Sequence, residues 1–215
     1  MTNKLPSDYV PSFKNDRITI LASALLEQCY QTDDDLQSDY DSGYSIGCTR
    51  FDRQKNRLKD MALEHEWLNI SDGSNRLVMN IDGAPFRFTR DNYLAPKKQS
   101  STAVSNTEAI QITKFSQSQQ LGFDWSDDTD NDLETPMKWR FFVDVTESAE
   151  SDERDYEIFF VGLNSIDVAC CVWQLSEHKS PALSSADDEK PQTVKTQPAR
   201  TTLPNADKHR KSSNE

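Results

Sequence analysis

The stretch that most constrains this chain is Met137 to Leu175, which divides into three strand-like runs. The first run, Lys138–Thr146, alternates large apolar side chains with mostly polar ones, which is the period of a half-buried strand. The second, Asp155–Leu163, is apolar on both sides, as expected of a central strand, and the third is Val168–Leu175. The stretch therefore predicts a three-stranded antiparallel meander. On its first strand the apolar side is Trp139, Phe141, Val143 and Val145, and the other side is mostly Lys138, Arg140, Asp144 and Thr146.

A second, smaller meander is predicted upstream. Residues 67–70 and 76–81 read as short strands, and the dipeptide Asp82-Gly83 is a strong hairpin signal after the second of them. The following run, 85–90, alternates Phe86 and Phe88 with polar residues. These patterns indicate three short strands with a tight turn between the last two.

Two helices are predicted before this meander. The first begins at Asn15 as N-cap and runs to about Gln31. The second covers Ser45–Glu66, with a core-facing stripe that includes His65. A third helical segment, 108–120 with Thr107 as N-cap, is favoured over a strand, although its start alternates. The core-facing stripe of the second helix is Phe51, Leu58, Met61, Ala62 and His65.

These elements give a fold class and a domain organisation. The class is α+β, with two small antiparallel β-meanders, two N-terminal helices packed on them and a disordered C-terminal tail. The organisation is an extended leader (1–14), a helix-helix-meander unit (15–94), a linker with a helix and an acidic loop (95–136), the second meander (137–175) and the tail (176–215). The tail is rich in Pro, Ser, Thr and charged residues, and it has too little apolar surface to offset the entropy of ordering.

The net charge of −12 is unevenly distributed. Residues 50–98 hold ten Lys and Arg against seven Asp and Glu, whereas residues 120–157 hold three against thirteen. A basic stripe on the second helix, continued by arginines of the small meander, predicts a surface for nucleic acid or an acidic partner, with a solvated face as the plainer alternative. Its members are Arg50, Arg53, Arg57, Arg76, Arg87 and Arg90.

Two acidic runs follow helical segments. The first, Asp33–Asp41, is interpreted as a solvated, mobile connector, and the second is interpreted as a flexible loop that presents negative charge to a basic partner. Neither has the Gly at position six and the Glu at position twelve of a calcium loop, so no metal site is predicted. The acidic candidates of the second run are Asp127, Asp128, Asp130 and Asp132.

The four cysteines lack metal-ligand spacing and are interpreted as reduced, mostly buried thiols. The chain also has no run of about eighteen apolar residues, and its start lacks the apolar region of a signal peptide. We therefore expect a soluble cytoplasmic protein that makes no contact with a membrane.

Few catalytic chemistries fit the sequence. Its six glycines form no phosphate-binding motif, and His65 is the one histidine before the tail. A magnesium-dependent nuclease would use Asp144 and Glu157 on the strands of one hairpin, but no strand lysine accompanies Glu157. No cofactor is predicted.

Two functional hypotheses follow. The preferred one is a non-catalytic cytoplasmic interaction or regulatory protein that binds another, unidentified protein through charged surfaces. The alternative is a nucleic-acid-binding protein that uses the six arginines, and the nuclease ranks third. A pairing of the arginines of the second helix with the acidic runs of the same chain would weaken both binding hypotheses.

Overall fold

The structure is a computed structural model that describes residues 4–97, 101–120, 135–147 and 154–175, all within one compact unit. The tail predicted to be disordered (176–215) lies outside the described residues. So does most of the predicted acidic loop.

The described residues contain four helices. They are α1 (Pro6–Tyr9), α2 (Asn15–Asp35), α3 (Gly43–Glu64) and α4 (Asn106–Gln120). The one-turn helix α1 lies in the segment predicted to be extended, and α2 runs four residues beyond its predicted end. The side chain of Ser42 caps α3 by accepting a hydrogen bond from the backbone N–H of Ser45, at 3.2 Å.

In the described ranges, six strands form one sheet in the order of the chain. They are β1 (Leu68–Asp72), β2 (Val78–Ile81), β3 (Ala84–Thr89), β4 (Lys138–Glu147), β5 (Arg154–Leu163) and β6 (Ala169–Gln174). The expectation of two separate small meanders is therefore wrong. The two meanders join because β3 and β4 pair in parallel, with Phe88 opposite Phe141, and the chain between them contains α4.

The Asp82-Gly83 hairpin is confirmed. Both residues have positive φ, 47° and 88°, as a two-residue type I′ turn requires, and Ile81 pairs with Ala84 across it. Glycine takes the second position without the steric cost that a Cβ would add.

The main core lies between α2 and one face of the sheet. Phe160 of β5 is at its centre, with ring centroids 5.1 Å from Phe13 and 4.4 Å from Phe141, and all three side chains are fully buried. Ile18 and Leu21 of α2 face the same cluster. Each such residue contributes about 1.5–3 kcal/mol through burial, so this layer fixes the helices against the sheet.

The opposite face of β4 and β5 is also buried. Phe142, Phe159 and Val161 form a second cluster there, and the ring of Tyr93, from the segment after β3, lies 4.8 Å from that of Phe159. The prediction that β5 is a central strand is confirmed, since it pairs with both β4 and β6.

Candidate functional site

A groove of about 980 Å³ runs between the 43–56 part of α3 and the end of β3, with the residues just before β2 beside it. It brings together four of the six arginines singled out from the sequence, while Asp52 is the acidic residue in its lining. The groove is therefore the main positively charged feature that these arginines form. The four are Arg53, Arg76, Arg87 and Arg90.

Arg50, the first arginine of the basic stripe on α3, is not accessible to a ligand. Arg50 is 3% exposed, pairs with the carboxylate of Asp33 and lies 4.8 Å from the ring centroid of Tyr156. The Tyr156 hydroxyl also donates a hydrogen bond to Asp33. Burial, and then the bond to Asp33, raise the pKa of this phenol. Arg50 thus has a structural role in joining α2, α3 and β5.

Arg53 is held in the same way but nearer the surface. Its Nη1 lies 2.6 Å from Oδ2 of Asp35, and both side chains remain partly exposed. The interpretation of Asp33–Asp41 as a solvated connector is therefore wrong for its first residues. They form the last turn of α2 and pair with α3 because the two helices pack together.

Arg57 is not part of the groove. Its guanidinium lies 3.0 Å from the Glu64 carboxylate further along α3 and is 35% exposed. The predicted stripe on α3 therefore divides into three kinds of residue. Arg50 is buried, Arg53 lines the groove and Arg57 forms an ion pair at the surface.

Arg90 lies against α3 at the floor of the groove. Its Nη1 donates to the backbone carbonyl of Gly47, where a Cβ would come within 3.3 Å of the same nitrogen. Its Nε is buried and has no acceptor among the described residues. Burial, and then the nearby Arg50, lower the pKa of Arg90. The floor thus carries a guanidinium that is incompletely neutralised.

Arg87 and Arg76 form the opposite wall. Arg87 donates from Nε to the Arg76 carbonyl (2.9 Å) and from Nη1 to the Ala103 carbonyl (3.1 Å), and its Nη1 lies 3.3 Å from Glu108. Arg76 is exposed, and within the described ranges its guanidinium makes no hydrogen bond or ion pair. It does act on a nearby carboxylate, because hydrogen bonds from Ser74, and then the charges of Arg87 and Arg76, lower the pKa of Asp72. Among the described residues, the guanidinium of Arg76 is therefore solvent-exposed and has no bonded carboxylate.

Behind this wall is a buried ion pair that sequence reasoning missed. Glu108 of α4 and Arg140 of β4 are each 1% exposed and bond to each other. Arg140 was expected on the polar side of a half-buried strand. It is buried because the segment 101–108 covers that face, where Lys138 also donates to the Thr102 carbonyl at 2.9 Å.

The start of α4 also differs from its prediction. Ser105, not Thr107, is the N-cap, and Ser105 and Glu108 bond reciprocally as a capping box, at 3.2 and 3.4 Å. The pattern Ser-x-x-Glu was present in the sequence and could have identified this position. It places the Glu108 side chain at the first turn of α4, facing Arg140.

His65 does not face the core. It follows the last residue of α3 as C-cap and is half-buried, with its ring stacked on Trp67 at 4.9 Å between centroids. No hydrogen bond joins it to a serine, cysteine or carboxylate in the part of the chain that the structure describes. The stacking explains its position at the helix end.

The two carboxylates considered for a nuclease lie directly opposite each other on β4 and β5. Asp144 accepts a hydrogen bond from Nδ2 of Asn92 at 2.6 Å, and Glu157 accepts one from Gln174 at 3.2 Å. Across residues 4–97, 101–120, 135–147 and 154–175, no group of three His, Cys, Asp or Glu side chains is arranged to hold a metal ion. Both carboxylates therefore accept hydrogen bonds from neighbouring side chains of the fold.

All four cysteines are free thiols. Cys48 is exposed in the groove lining, whereas Cys29 and Cys171 are buried. Burial raises the pKa of Cys29 to about 12 and that of Cys171 to about 11. Cys48 is therefore the thiol most accessible to reagents.

Two further predictions from the sequence concern an acidic surface and the membrane. The acidic residues Asp127, Asp128, Asp130 and Asp132 lie outside the described residues, so their binding to a basic partner stays a prediction. No helix within the described ranges has both the length and the apolar character to cross a membrane.

Comparisons of the chain with protein-family models, with curated proteins and with solved structures found no match.

Proposed function

We propose that this protein is a non-catalytic interaction protein of the cytoplasm, which binds another protein through charged surfaces and uses the arginine-lined groove as its main contact. The observation that supports this is the convergence of Arg53, Arg76, Arg87 and Arg90 on one groove of a chain whose net charge is −12. The four free thiols support the cytoplasmic placement, since such thiols persist in a reducing compartment.

An arginine of the groove can bind an acidic partner more readily if it has no carboxylate partner within the chain. Arg50 and Arg53 have carboxylate partners within the chain, which weakens the hypothesis of a continuous basic stripe on α3. Arg76 has no bonded carboxylate among the described residues, although its charge acts on Asp72, and Arg90 lacks an acceptor for its Nε. Unneutralised cations at a surface accelerate association with an oppositely charged patch and set its orientation. The proposal therefore rests on Arg76 and Arg90, because Arg87 is already paired with Glu108.

The test compares capture from native lysate by three tagged proteins. They are the wild type, Arg76→Glu and Lys114→Glu, the last an exposed lysine of α4 outside the groove with the same change of charge. We expect one protein to be retained by the wild type and by Lys114→Glu, and lost from Arg76→Glu. Equal retention by all three proteins, or by none, would contradict the proposal.

Nucleic-acid binding is the second candidate, and the same groove favours it because arginine is a common ligand of phosphate. Its affinity should fall steeply as salt rises from 50 to 200 mM. A mobility-shift assay at low salt with DNA and RNA decides the matter. Absence of binding by both would eliminate this candidate.

A further inference from the structure

The arginine side chains of the groove favour a ligand that carries carboxylates. Resting on the proposed function, we propose that the groove binds a short, extended segment of the partner protein that carries several aspartate or glutamate side chains. Arg76 and Arg90 would hold its carboxylates, and the lining residues Asn56 and Asn75 would offer hydrogen-bonding partners to the backbone amides of the segment.

The chain contains an internal example of this recognition. Asp33 and Asp35, two residues apart at the end of α2, meet Arg50 and Arg53, which are one helical turn apart on α3. Arg53 also lies in the groove lining, so the arginines of the groove continue from an acidic contact that is already formed. Carboxylate-bearing side chains are therefore the chemistry that this surface accepts within the chain.

The floor of the groove gains most from an added carboxylate. Arg90 is partly buried and lies near Arg50, and its burial, and then this proximity, lower its pKa. A carboxylate bound at Arg90 would offset the repulsion, and charge-assisted hydrogen bonds to guanidinium are the stronger kind. Because the ligand binds the folded state, we expect it to raise the midpoint of thermal unfolding.

An acidic peptide fits the groove better than a nucleic acid does. Asp52 lies in the lining, and Asp35 stands beside Arg53 at the rim, 60% exposed. A phosphate backbone carries a charge at every step and would meet these carboxylates. A peptide with separated carboxylates can place them at the arginines alone. The volume of about 980 Å³ suits a short segment.

The direct test uses a defined probe and the full-length protein. A fluorescein-labelled octapeptide that alternates Asp with Ser is titrated at low salt, with the same peptide carrying Asn in place of Asp as its control. A labelled single-stranded oligonucleotide of equal length forms the third arm. Fluorescence anisotropy reports binding, and the unfolding midpoint with saturating peptide gives a second readout.

We expect the Asp peptide to bind, the Asn peptide not to bind, and Arg76→Glu to weaken the affinity at least tenfold. Lys114→Glu should leave it within about twofold, because that lysine is outside the groove. Arg76 is exposed and without a side-chain partner in the described ranges, so the variant should fold as the wild type does. Arg90→Gln should also weaken binding, and its unfolding midpoint shows whether it folds.

Three results would overturn the inference: no binding of the Asp peptide, equal affinity of the wild type and Arg76→Glu, or tighter binding of the oligonucleotide at the same arginines. Failure here is distinguishable from failure of the proposed function. A partner captured by the wild type but lost from Arg76→Glu, with no binding of the Asp peptide, would retain the groove as an interaction site. It would reject only the acidic segment as its occupant.

Discussion

Glu108→Gln removes one negative charge from the interior while leaving most of the local structure in place. The Glu108 carboxylate bonds to Arg140 and lies 3.3 Å from Arg87, and Glu108 and Arg140 are each 1% exposed. Glutamine is also a capping-box residue, so the reciprocal bonds with Ser105 should persist. The substitution therefore tests the charge and not the helix cap.

The expected loss follows from what remains in the interior. Arg140 would stay charged and buried with no carboxylate, and its Nε and Nη2 already have no acceptor among the described residues. Removing one partner of a buried ion pair costs about 3–5 kcal/mol. With a slope of about 2 kcal/mol per M, the urea midpoint should fall by about 1.5–2.5 M.

Removing both charges should recover much of the stability that Glu108→Gln loses. Arg140→Met leaves Glu108 with Arg87 and the Ser105 N–H as partners, so we expect it to cost less than Glu108→Gln. The double variant no longer buries an unpaired guanidinium, and replacing a buried ion pair by uncharged groups is often neutral. It should recover at least half of the stability that Glu108→Gln loses.

Urea unfolding of the four proteins, followed by tryptophan fluorescence, measures this cycle. The buried Trp139, next to Arg140 in β4, is a suitable reporter. A loss below about 1 kcal/mol for Glu108→Gln would refute the argument that the pair is desolvated. Strict additivity of the two single losses in the double variant would refute the coupling.

Three further predictions concern the core and the thiols. Gly162→Ala should cost about 1–3 kcal/mol, measured as a urea midpoint, because its Cβ would lie 2.8 Å from a side-chain carbon of Pro136. In the native protein, iodoacetamide at pH 8 should label Cys48 first and leave Cys29 unlabelled until unfolding, as read by peptide mass mapping. Alkaline pH should destabilise the fold, because Cys29 loses its proton in the unfolded chain near its ordinary pKa of 9.0 but in the folded state only near about 12. Its contribution is complete below pH 9 and declines by about 1.4 kcal/mol per pH unit above that. Cys29→Ala should lose less stability between pH 8 and pH 10 than the wild type does.

Local patterns predicted the strands of the second meander within one or two residues. Residues 138–146 were expected as a strand and β4 is Lys138–Glu147, while residues 155–163 were expected and β5 is Arg154–Leu163. Side-chain alternation and a two-residue turn are properties of adjacent residues, so both can be recognised directly in the sequence. The Asp82-Gly83 hairpin is recognised for the same reason.

The joining of the meanders and the burial of charge are non-local and were not predicted. The parallel pairing of β3 with β4 links residues that are about fifty positions apart, as Arg87 opposite Arg140 shows. Alternation in β4 places Arg140 on the side away from Phe141 but does not show that another segment covers that side. An arginine with a buried carboxylate partner and one in solvent look alike in a sequence.

The same argument decides which arginines matter at the groove. A helical period groups Arg50 with Arg53, but the packing of α2 against α3 gives both of them carboxylate partners from the first acidic run. Arg76 stands apart from that period, before β2, and its exposed guanidinium forms no hydrogen bond or ion pair among the described residues. A search for binding residues in a chain with net charge −12 should therefore begin with cations that the fold leaves unpaired, because a cation with an internal partner has to break that bond before it binds a ligand. On this reasoning Arg76→Glu should affect binding more than Arg53→Glu does. The reverse order would indicate that the partner displaces Asp35 and binds along α3 instead.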